Sequence, residues 1–172
     1  MHMMNTPRPM GQPLTFEHLV QINDASDTRV TALTRDQLWQ GLMLRATQPE
    51  TFIPWLEDSV IDGDMVQGLT RRLNFGSYQI HDEVTFVPHE QVEYQSHDAE
   101  TGAEFLLRMR IEEPQPEALF VRFIYHAHSV DHHADSPLGY AMKEAYRFND
   151  DDLVMRIRLL AESGILDGSM LF

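Results

Sequence analysis

The feature that most constrains this chain is a succession of segments in which apolar and polar residues alternate, separated by short polar turns. Alternation of this kind is typical of strands that bury one face. A first such segment begins at Leu14, and five more cover residues 66–75, 78–87, 91–96, 104–112 and 119–128. Consecutive strands joined by short turns form an antiparallel meander. We therefore expect one antiparallel sheet of about seven strands.

Helical signals lie between the first strand and the rest of the sheet. Thr34-Arg35-Asp36-Gln37 has the pattern of a capping box and predicts a helix to about Thr47, where Pro49 ends it. Pro54 leaves room only for a short second helix at residues 50–56, and Asp62-Gly63-Asp64 reads as a turn.

A long helix is predicted near the carboxyl terminus. Ser136-Pro137 is a start signal and Ser163-Gly164 a stop signal. Its buried stripe is predicted to contain Met142, Tyr146, Asn149, Leu153, Ile157 and Leu160. The acidic run at residues 150–152 is expected to face solvent, with surface ion pairs between Arg147 and Asp151 and between Asp152 and Arg156.

Length and composition describe one globular domain. The chain has 172 residues, of which 42% are hydrophobic, and this size supports a core without disulfides or metals. It has no cysteine, which excludes disulfide frameworks, thiolate metal sites and cysteine nucleophiles. We expect a flexible tail at residues 1–12 and a single α+β domain at residues 13–172.

The charge excludes polyanionic partners. Lys and Arg number 13 against 27 Asp and Glu, a formal net charge of −14, and no Lys or Arg lies between Leu73 and Leu107. Nucleic acid and anionic membrane surfaces are therefore not expected as partners. No apolar run is long enough for a membrane helix, and prolines interrupt the amino terminus, so a cytoplasmic protein is expected. A homodimer is left open.

A curved sheet with one apolar face must be covered, and the long helix is the element available to cover it. The order of these elements resembles that of the SRPBCC superfamily, whose START and birch-pollen-allergen-like members have the helix-grip fold. The resemblance is closest to the AtaL-like subfamily and is carried by the stretches Leu14–Asp24, Leu33–Leu42, Arg71–Gly76 and Ile157–Gly164. It implies a helix-grip fold with a pocket for an apolar or aromatic small molecule. It carries over no catalytic residue.

The residues predicted to line that pocket come from the inward faces of the strands and from the long helix. They are Phe16, Val20, Leu73, Phe75, Tyr78, Ile80, Val84, Tyr94, Phe105, Leu107, Met109, Val121, Phe123, Tyr125, Met142, Tyr146, Asn149 and Leu153.

Polar residues on these apolar faces are the candidates for chemistry. If Gly76-Ser77 is a two-residue turn, Arg71 lies opposite Asp82 inside the sheet, where an unpaired charge would be costly. The pair is either a structural ion pair or an anchor for an acidic ligand oxygen. His18 also points inward, either as a core residue or as a general base.

A third candidate is the histidine-rich run that begins at His126. His126, His128, Asp131, His132, His133 and Asp135 could be imagined as a metal site, but the strand face they continue looks outward. We therefore expect a solvated loop, no metal and no cofactor.

Two functions follow from these residues. The leading hypothesis is binding of a small hydrophobic, aromatic or polyketide-like molecule between sheet and helix. The alternative is a cofactor-independent cyclase or dehydratase, a lyase or isomerase in which His18 moves a proton while Arg71, oriented by Asp82, stabilises an enolate.

Overall fold

Seven antiparallel strands form one curved sheet in the computed structural model, which describes residues 14–97, 102–128 and 137–166. The strands are β1 (Leu14–Gln21), β2 (Asp58–Asp64), β3 (Gly68–Asn74), β4 (Gln79–Val87), β5 (Gln91–His97), β6 (Glu104–Gln115) and β7 (Ala118–His128). Their order across the sheet is β1-β7-β6-β5-β4-β3-β2, so β2 to β7 are a meander and β1 pairs with the last strand. The predicted tail at residues 1–12 lies outside the described residues.

The turn between β3 and β4 has the predicted register. Asn74 pairs with Gln79, Leu73 with Ile80 and Arg71 with Asp82. Two-residue hairpin turns set the register of the strands that they join. This register places Arg71 directly opposite Asp82 on the inner face of the sheet.

Strand β2 was not predicted, and the turn assigned to Asp62-Gly63-Asp64 was wrong, since these residues belong to the strand. β2 is an edge strand and is largely exposed. Gly63 has a φ of +108° and lies so close to β3 that a Cβ there would be 2.2 Å from the carbonyl oxygen of Gly68. An edge strand rich in Asp and Gly has the composition of a turn, which hides it from propensity arguments.

Helix α1 (Arg35–Thr47) begins at the predicted capping box. The Thr34 hydroxyl accepts from the Gln37 backbone N–H, and the Gln37 side chain accepts from the Thr34 backbone N–H. The short helix that follows is a single 3-10 turn, Pro49–Thr51, and does not extend to residue 56 as predicted. Proline at the start of this turn and Pro54 after it leave no room for an α-helix.

Helix α2 (Pro137–Glu162) packs against the inner face near β1, β6 and β7. Leu153 and Ile157 are buried as predicted, but Asn149 is exposed and Asp150 takes its place in the buried stripe. The solvent-facing assignment of Asp150 was therefore wrong. Ser136, the predicted cap, lies outside the described residues.

The surface ion pairs predicted on α2 are only partly present. Asp152 pairs with Arg156 as predicted, with Oδ2 2.8 Å from Nε. Arg147 instead contacts Glu144, so the predicted pair with Asp151 is wrong. Both observed pairs lie three or four residues apart on one helix face.

The two helices meet at a glycine. Gly41 of α1 packs against Ile157 of α2 so closely that a Cβ at residue 41 would lie 2.6 Å from Ile157 Cγ2. Ile157 is fully buried in the core formed by the two helices and the sheet. Within the described ranges no helix combines the length and the apolar character needed to cross a bilayer.

Candidate functional site

Three polar side chains from distant parts of the chain meet between the sheet and α2. His18 of β1 places Nδ1 3.2 Å from Oδ2 of Asp150 on α2. The hydroxyl of Tyr125 on β7 donates to Oδ1 of the same carboxyl group. Asp150 is only 2% exposed. A buried acid thus holds two partners that are more than 100 residues apart in the chain.

Strand register explains how these side chains come together. β1 pairs with β7 so that His18 lies opposite Phe123 and Phe16 opposite Tyr125. Alternate residues of each strand point inward, which brings His18 and Tyr125 to one face. Asp150 lies one turn after Tyr146 on the helix face that covers these strands.

Burial dominates the electrostatics of this group. It raises the pKa of Asp150 to about 6, although the hydrogen bonds from Tyr125 and His18 act in the opposite direction. Burial and the neighbouring carboxylate also raise the pKa of Tyr125 well above its usual range, so the phenol keeps its proton. Asp150 therefore exchanges a proton close to neutral pH, while Tyr125 remains a hydrogen-bond donor.

The direction of the hydrogen bond between His18 and Asp150 depends on whether Asp150 is ionised. An ionised Asp150 can only accept hydrogen bonds, so Nδ1 of His18 carries the proton between them. Nε2 of the neutral ring is then an acceptor. A carboxylate that orients an imidazole in this way also stabilises the imidazolium formed when Nε2 takes up a proton. The pair can thus accept a hydrogen bond or a proton.

Aromatic rings surround the polar group. The Tyr146 ring stacks on the Tyr125 ring, with centroids 4.1 Å apart and planes 7° from parallel. Phe16 and Phe105 each lie 6.1 Å from the Tyr125 ring. Burial raises the pKa of Tyr146 to about 12. Aromatic rings thus surround Asp150, and the polar atoms of His18, Tyr125 and Asp150 are grouped together among these rings.

Arg71 and Asp82 form the predicted ion pair, but at a distance from His18. Arg71 Nε and Nη2 donate to the Asp82 carboxylate at 2.7 and 2.6 Å, and Nη1 donates to the Ala46 carbonyl at 3.1 Å. Burial is the largest influence and lowers the pKa of Arg71, but the hydrogen bond and charge of Asp82, together with Tyr94 and Glu50, outweigh burial and raise the pKa. β1 and β3 lie five strand positions apart, so His18 and Arg71 do not form one constellation.

Most residues predicted to line a pocket do lie on the inner face. Phe123, Val84, Val121, Met109, Tyr125, Tyr94, Leu73, Leu107 and Leu153 are buried, and Phe16, Val20, Phe75, Ile80, Phe105, Met142 and Tyr146 are half-buried. Two were placed wrongly. Asn149 is exposed because α2 turns Asp150 inward. Tyr78 is 53% exposed, because it precedes the first residue of β4 and belongs to the turn, where only Phe75 stacks on it.

Only the first part of the histidine run lies within the described residues. His126 is exposed on the outer face of β7, as predicted, and His128 lies on the same face, whereas residues 131–135 lie outside the described residues. In the ranges that the structure describes, no group of three or more His, Asp or Glu side chains could hold a metal ion.

A cleft of about 580 Å³ lies at the edge of the sheet where β5 and β7 end and β4 and β6 begin. Its outer lining includes His81, His97, His126 and His128, and its inner lining includes Phe105. Phe105 also packs 6.1 Å from the Tyr146 ring. The cleft therefore adjoins the aromatic surroundings of Asp150 at one end of the sheet.

Sequence reasoning missed Asp150. Asn149 lies three positions after Tyr146 and Asp150 lies four positions after it, and both spacings fit the buried stripe of a helix. The uncharged Asn149 was therefore preferred as the inward residue. The inward His18 was the one available signal, because a buried imidazole needs a hydrogen-bond partner.

Comparisons with known proteins bear on the fold and on the family. The family model described as "Acetylaranotin biosynthesis cluster protein L", AtaL, matches residues 17–164. A sequence comparison with curated proteins found no match.

Solved structures share the fold at low identity. The two-domain ARO/CYC protein StfQ of the steffimycin biosynthetic pathway has a TM-score of 0.64 at 11% identity, covering 89% of this chain; the match spans about half, 52%, of StfQ. Norcoclaurine synthase of Thalictrum flavum, in complex with dopamine and hydroxybenzaldehyde, has a TM-score of 0.62 at 14% identity and covers 95% and 97% of the two chains. Ara h 8.0201 has a TM-score of 0.62 at 10% identity and covers 88% and 99%. All share the helix-grip arrangement of sheet and long helix.

Proposed function

Since the chain belongs to the AtaL family of the SRPBCC superfamily, we propose that it binds a small aromatic or polyketide-like molecule between the sheet and α2. The family name refers to a biosynthetic gene cluster, and StfQ and norcoclaurine synthase are named for biosynthetic roles. A flat, apolar molecule with a hydroxyl group is the ligand class that the interior suits best.

The observation that carries this proposal is the buried carboxyl group of Asp150 among aromatic rings. Phe16, Phe105 and Tyr146 offer ring faces and edges against which an aromatic ligand can pack. Nε2 of His18 and the carboxylate offer acceptors for a ligand hydroxyl. An apolar wall with a few convergent polar atoms is the usual composition of a small-molecule site.

Displacement of Nile red tests the binding proposal. We expect 2-naphthol to displace the dye from the wild type and Tyr146→Ala to weaken 2-naphthol binding by about tenfold, since it removes a stacking face. Phe148→Ala is the matched control, because this aromatic residue of the same helix is 73% exposed. No dye binding, or equal losses in both variants, would rule the proposal out.

A second candidate function is cofactor-independent proton transfer, as in a cyclase or dehydratase. The specific observation in its favour is the contact between His18 and Asp150, which orients Nε2 as a base. Nε2 would take a proton from a carbon between two carbonyl groups, leaving its electron pair as an enolate that attacks a second carbonyl and closes a ring. Asp150 would stabilise the imidazolium, and the proton would return to the new alkoxide.

Kinetics separate the two functions. With a linear 1,3,5,7-tetraketone as substrate, closure of the six-membered ring between C2 and C7 can be followed by absorbance. If the protein is an enzyme, His18→Ala should lower turnover at least a hundredfold and leave affinity within about threefold, because a base acts mainly in the transition state. His89→Ala, at an exposed position in the turn between β4 and β5, is the control. Equal losses of turnover and affinity would make His18 part of the pocket wall, and the absence of turnover in the wild type would leave binding as the function.

A further inference from the structure

Tyr94 is a second polar residue on the inner face, and one strand, β6, lies between its strand and that of Tyr125. Tyr94 of β5, Leu107 of β6 and Tyr125 of β7 are neighbours in one row across the sheet. Strands lie about 4.8 Å apart, so the backbones of Tyr94 and Tyr125 are separated by about 10 Å. What surrounds Tyr94 therefore lies within one small ligand's length of the group around Asp150.

The hydroxyl of Tyr94 lacks a hydrogen-bond partner. The residue is 3% exposed, and its oxygen is the one buried side-chain polar atom of the described residues without a partner. Buried hydroxyl groups are nearly always hydrogen-bonded, because their desolvation is otherwise uncompensated. A missing partner in a candidate site points to a bound molecule.

Arg45 stands over the same ring. It lies in the last turn of α1, and its guanidinium carbon is 4.8 Å from the Tyr94 ring centroid. Burial raises the pKa of both Asp150 and Tyr125, and the positive charge of Arg45 acts to lower both pKa values. Arg45 is therefore close enough to act on these two buried groups, and its guanidinium faces the space between sheet and helix. The ion pairs of the described residues include none between Arg45 and Asp150, so that carboxylate does not hold the Arg45 guanidinium.

Arg45 differs from the other arginines in the described ranges. Arg71 also lies over the Tyr94 ring, at 4.9 Å, but Asp82 and the Ala46 carbonyl hold its guanidinium. Arg72 and Arg110 also form no ion pair among the described residues, but both point from the outer face of the sheet. Within the part of the chain that the structure describes, Arg45 is thus the inward-facing arginine with donors to spare.

We propose that Arg45 and the Tyr94 hydroxyl bind an oxyanion, a carboxylate or phenolate, at the end of the ligand opposite Asp150. A cation and a hydroxyl donor without an acceptor match such an oxygen in both charge and hydrogen-bonding capacity. The inference rests on the proposed ligand site and gives its occupant a second polar end. The occupant is then an aromatic molecule with a hydroxyl at His18 and an acidic oxygen at Arg45.

Calorimetric titration with pairs of probes tests this assignment. 2-Naphthoic acid and its methyl ester differ in charge and hardly in shape. We expect the wild type to bind the acid at least tenfold more tightly than the ester, and Arg45→Met to remove this preference without changing ester affinity by more than about twofold. Arg45→Lys should keep part of the preference, and Tyr94→Phe should reduce it about threefold. Arg110→Met is the matched control and should retain it.

Nitrophenol and nitroanisole, as a second pair, distinguish the source of the oxyanion. If the protein prefers 2-naphthoic acid to its ester but does not prefer nitrophenol to nitroanisole, the bound oxyanion is a carboxylate. If it prefers the charged member of both pairs, the site binds oxyanions in general. Equal binding of acid and ester by the wild type, or a preference that survives in Arg45→Met, overturns the inference while the proposed ligand site stands. If neither naphthyl probe binds, both fail together. Circular dichroism of each variant establishes that the comparison is between folded proteins.

Discussion

Nδ1 of His18 lies 3.2 Å from Oδ2 of Asp150, and this contact joins the first strand to the last helix across 132 positions of the chain. Because Tyr125 donates to the other carboxylate oxygen, the same acid also ties α2 to β7. The contact fixes the rotation of α2 against the sheet and places a titratable group in the interior. Stability and ligand binding should therefore both depend on Asp150.

The first prediction concerns pH. The folded-state pKa of Asp150, about 6, lies above the ordinary value of 3.8, so the folded protein binds this proton more tightly than the unfolded chain does. The resulting stability is fully present below about pH 4 and is lost as pH rises through 6. Relative to Asp150→Asn, the wild type should lose up to about 3 kcal/mol of unfolding free energy over this range.

Urea unfolding at half-unit steps from pH 4 to pH 7 measures this difference. Asp151→Asn, at the exposed neighbouring position, is the control and should parallel the wild type. A difference between wild type and Asp150→Asn that is constant with pH would contradict the assignment of a raised pKa.

The second prediction concerns the Tyr125 hydroxyl. Its hydrogen bond lowers the pKa of Asp150 against the larger effect of burial, so Tyr125→Phe should raise that pKa further above 6. The carboxyl carbon signal of Asp150 in an NMR titration reports the change. Tyr146→Phe serves for comparison, since the Tyr146 hydroxyl does not bond to Asp150, and an equal shift in both variants would refute the role of the Tyr125 bond.

The third prediction concerns the buried ion pair. Arg71→Ala and Asp82→Ala should each cost roughly 3 kcal/mol, since each leaves a buried charge without its partner. The double variant should lose less than the sum. Glu93→Ala, which breaks the partly exposed pair with Arg108 on the outer face, should cost less than about 1 kcal/mol. Additive losses at Arg71 and Asp82 would show that the two charges do not depend on each other.

The fourth prediction concerns the contact between the helices. Gly41→Ala should destabilise the protein by about 1–3 kcal/mol, because the new methyl group would overlap Ile157, and this outweighs the better helix propensity of alanine. Thermal and urea unfolding measure the loss. Ile157→Ala removes the obstructing atoms, so in that background Gly41→Ala should be neutral or stabilising. The same loss in both backgrounds would mean that the helices do not touch here.

Several features of this protein could be derived from local sequence. Alternation identified the inward residues of six strands, and the turn at Gly76-Ser77 set the register that pairs Arg71 with Asp82. The capping box marked where α1 begins. These inferences succeed because a strand's two faces, a two-residue turn and a helix cap are decided by residues only a few positions apart.

Local pattern was insufficient where two neighbouring positions fit equally well. Asn149 and Asp150 both continue the stripe of α2, and only the position of His18 and Tyr125 turns the acid inward. Strand β2 likewise has a turn-like composition and becomes a strand because β3 is beside it. Arg45 carries no mark in the sequence that separates it from the arginines at the surface.

The sequence by itself therefore determined the order of the two α-helices and six of the seven strands, most of the inner face and the buried ion pair of β3 and β4. Only the tertiary structure decided the rotation of α2, the meeting of His18, Tyr125 and Asp150, and the position of Arg45 over Tyr94. The physical reason is that periodicity follows from backbone geometry, which is local, whereas the face that a helix buries depends on the free energy of packing against partners far away in the chain.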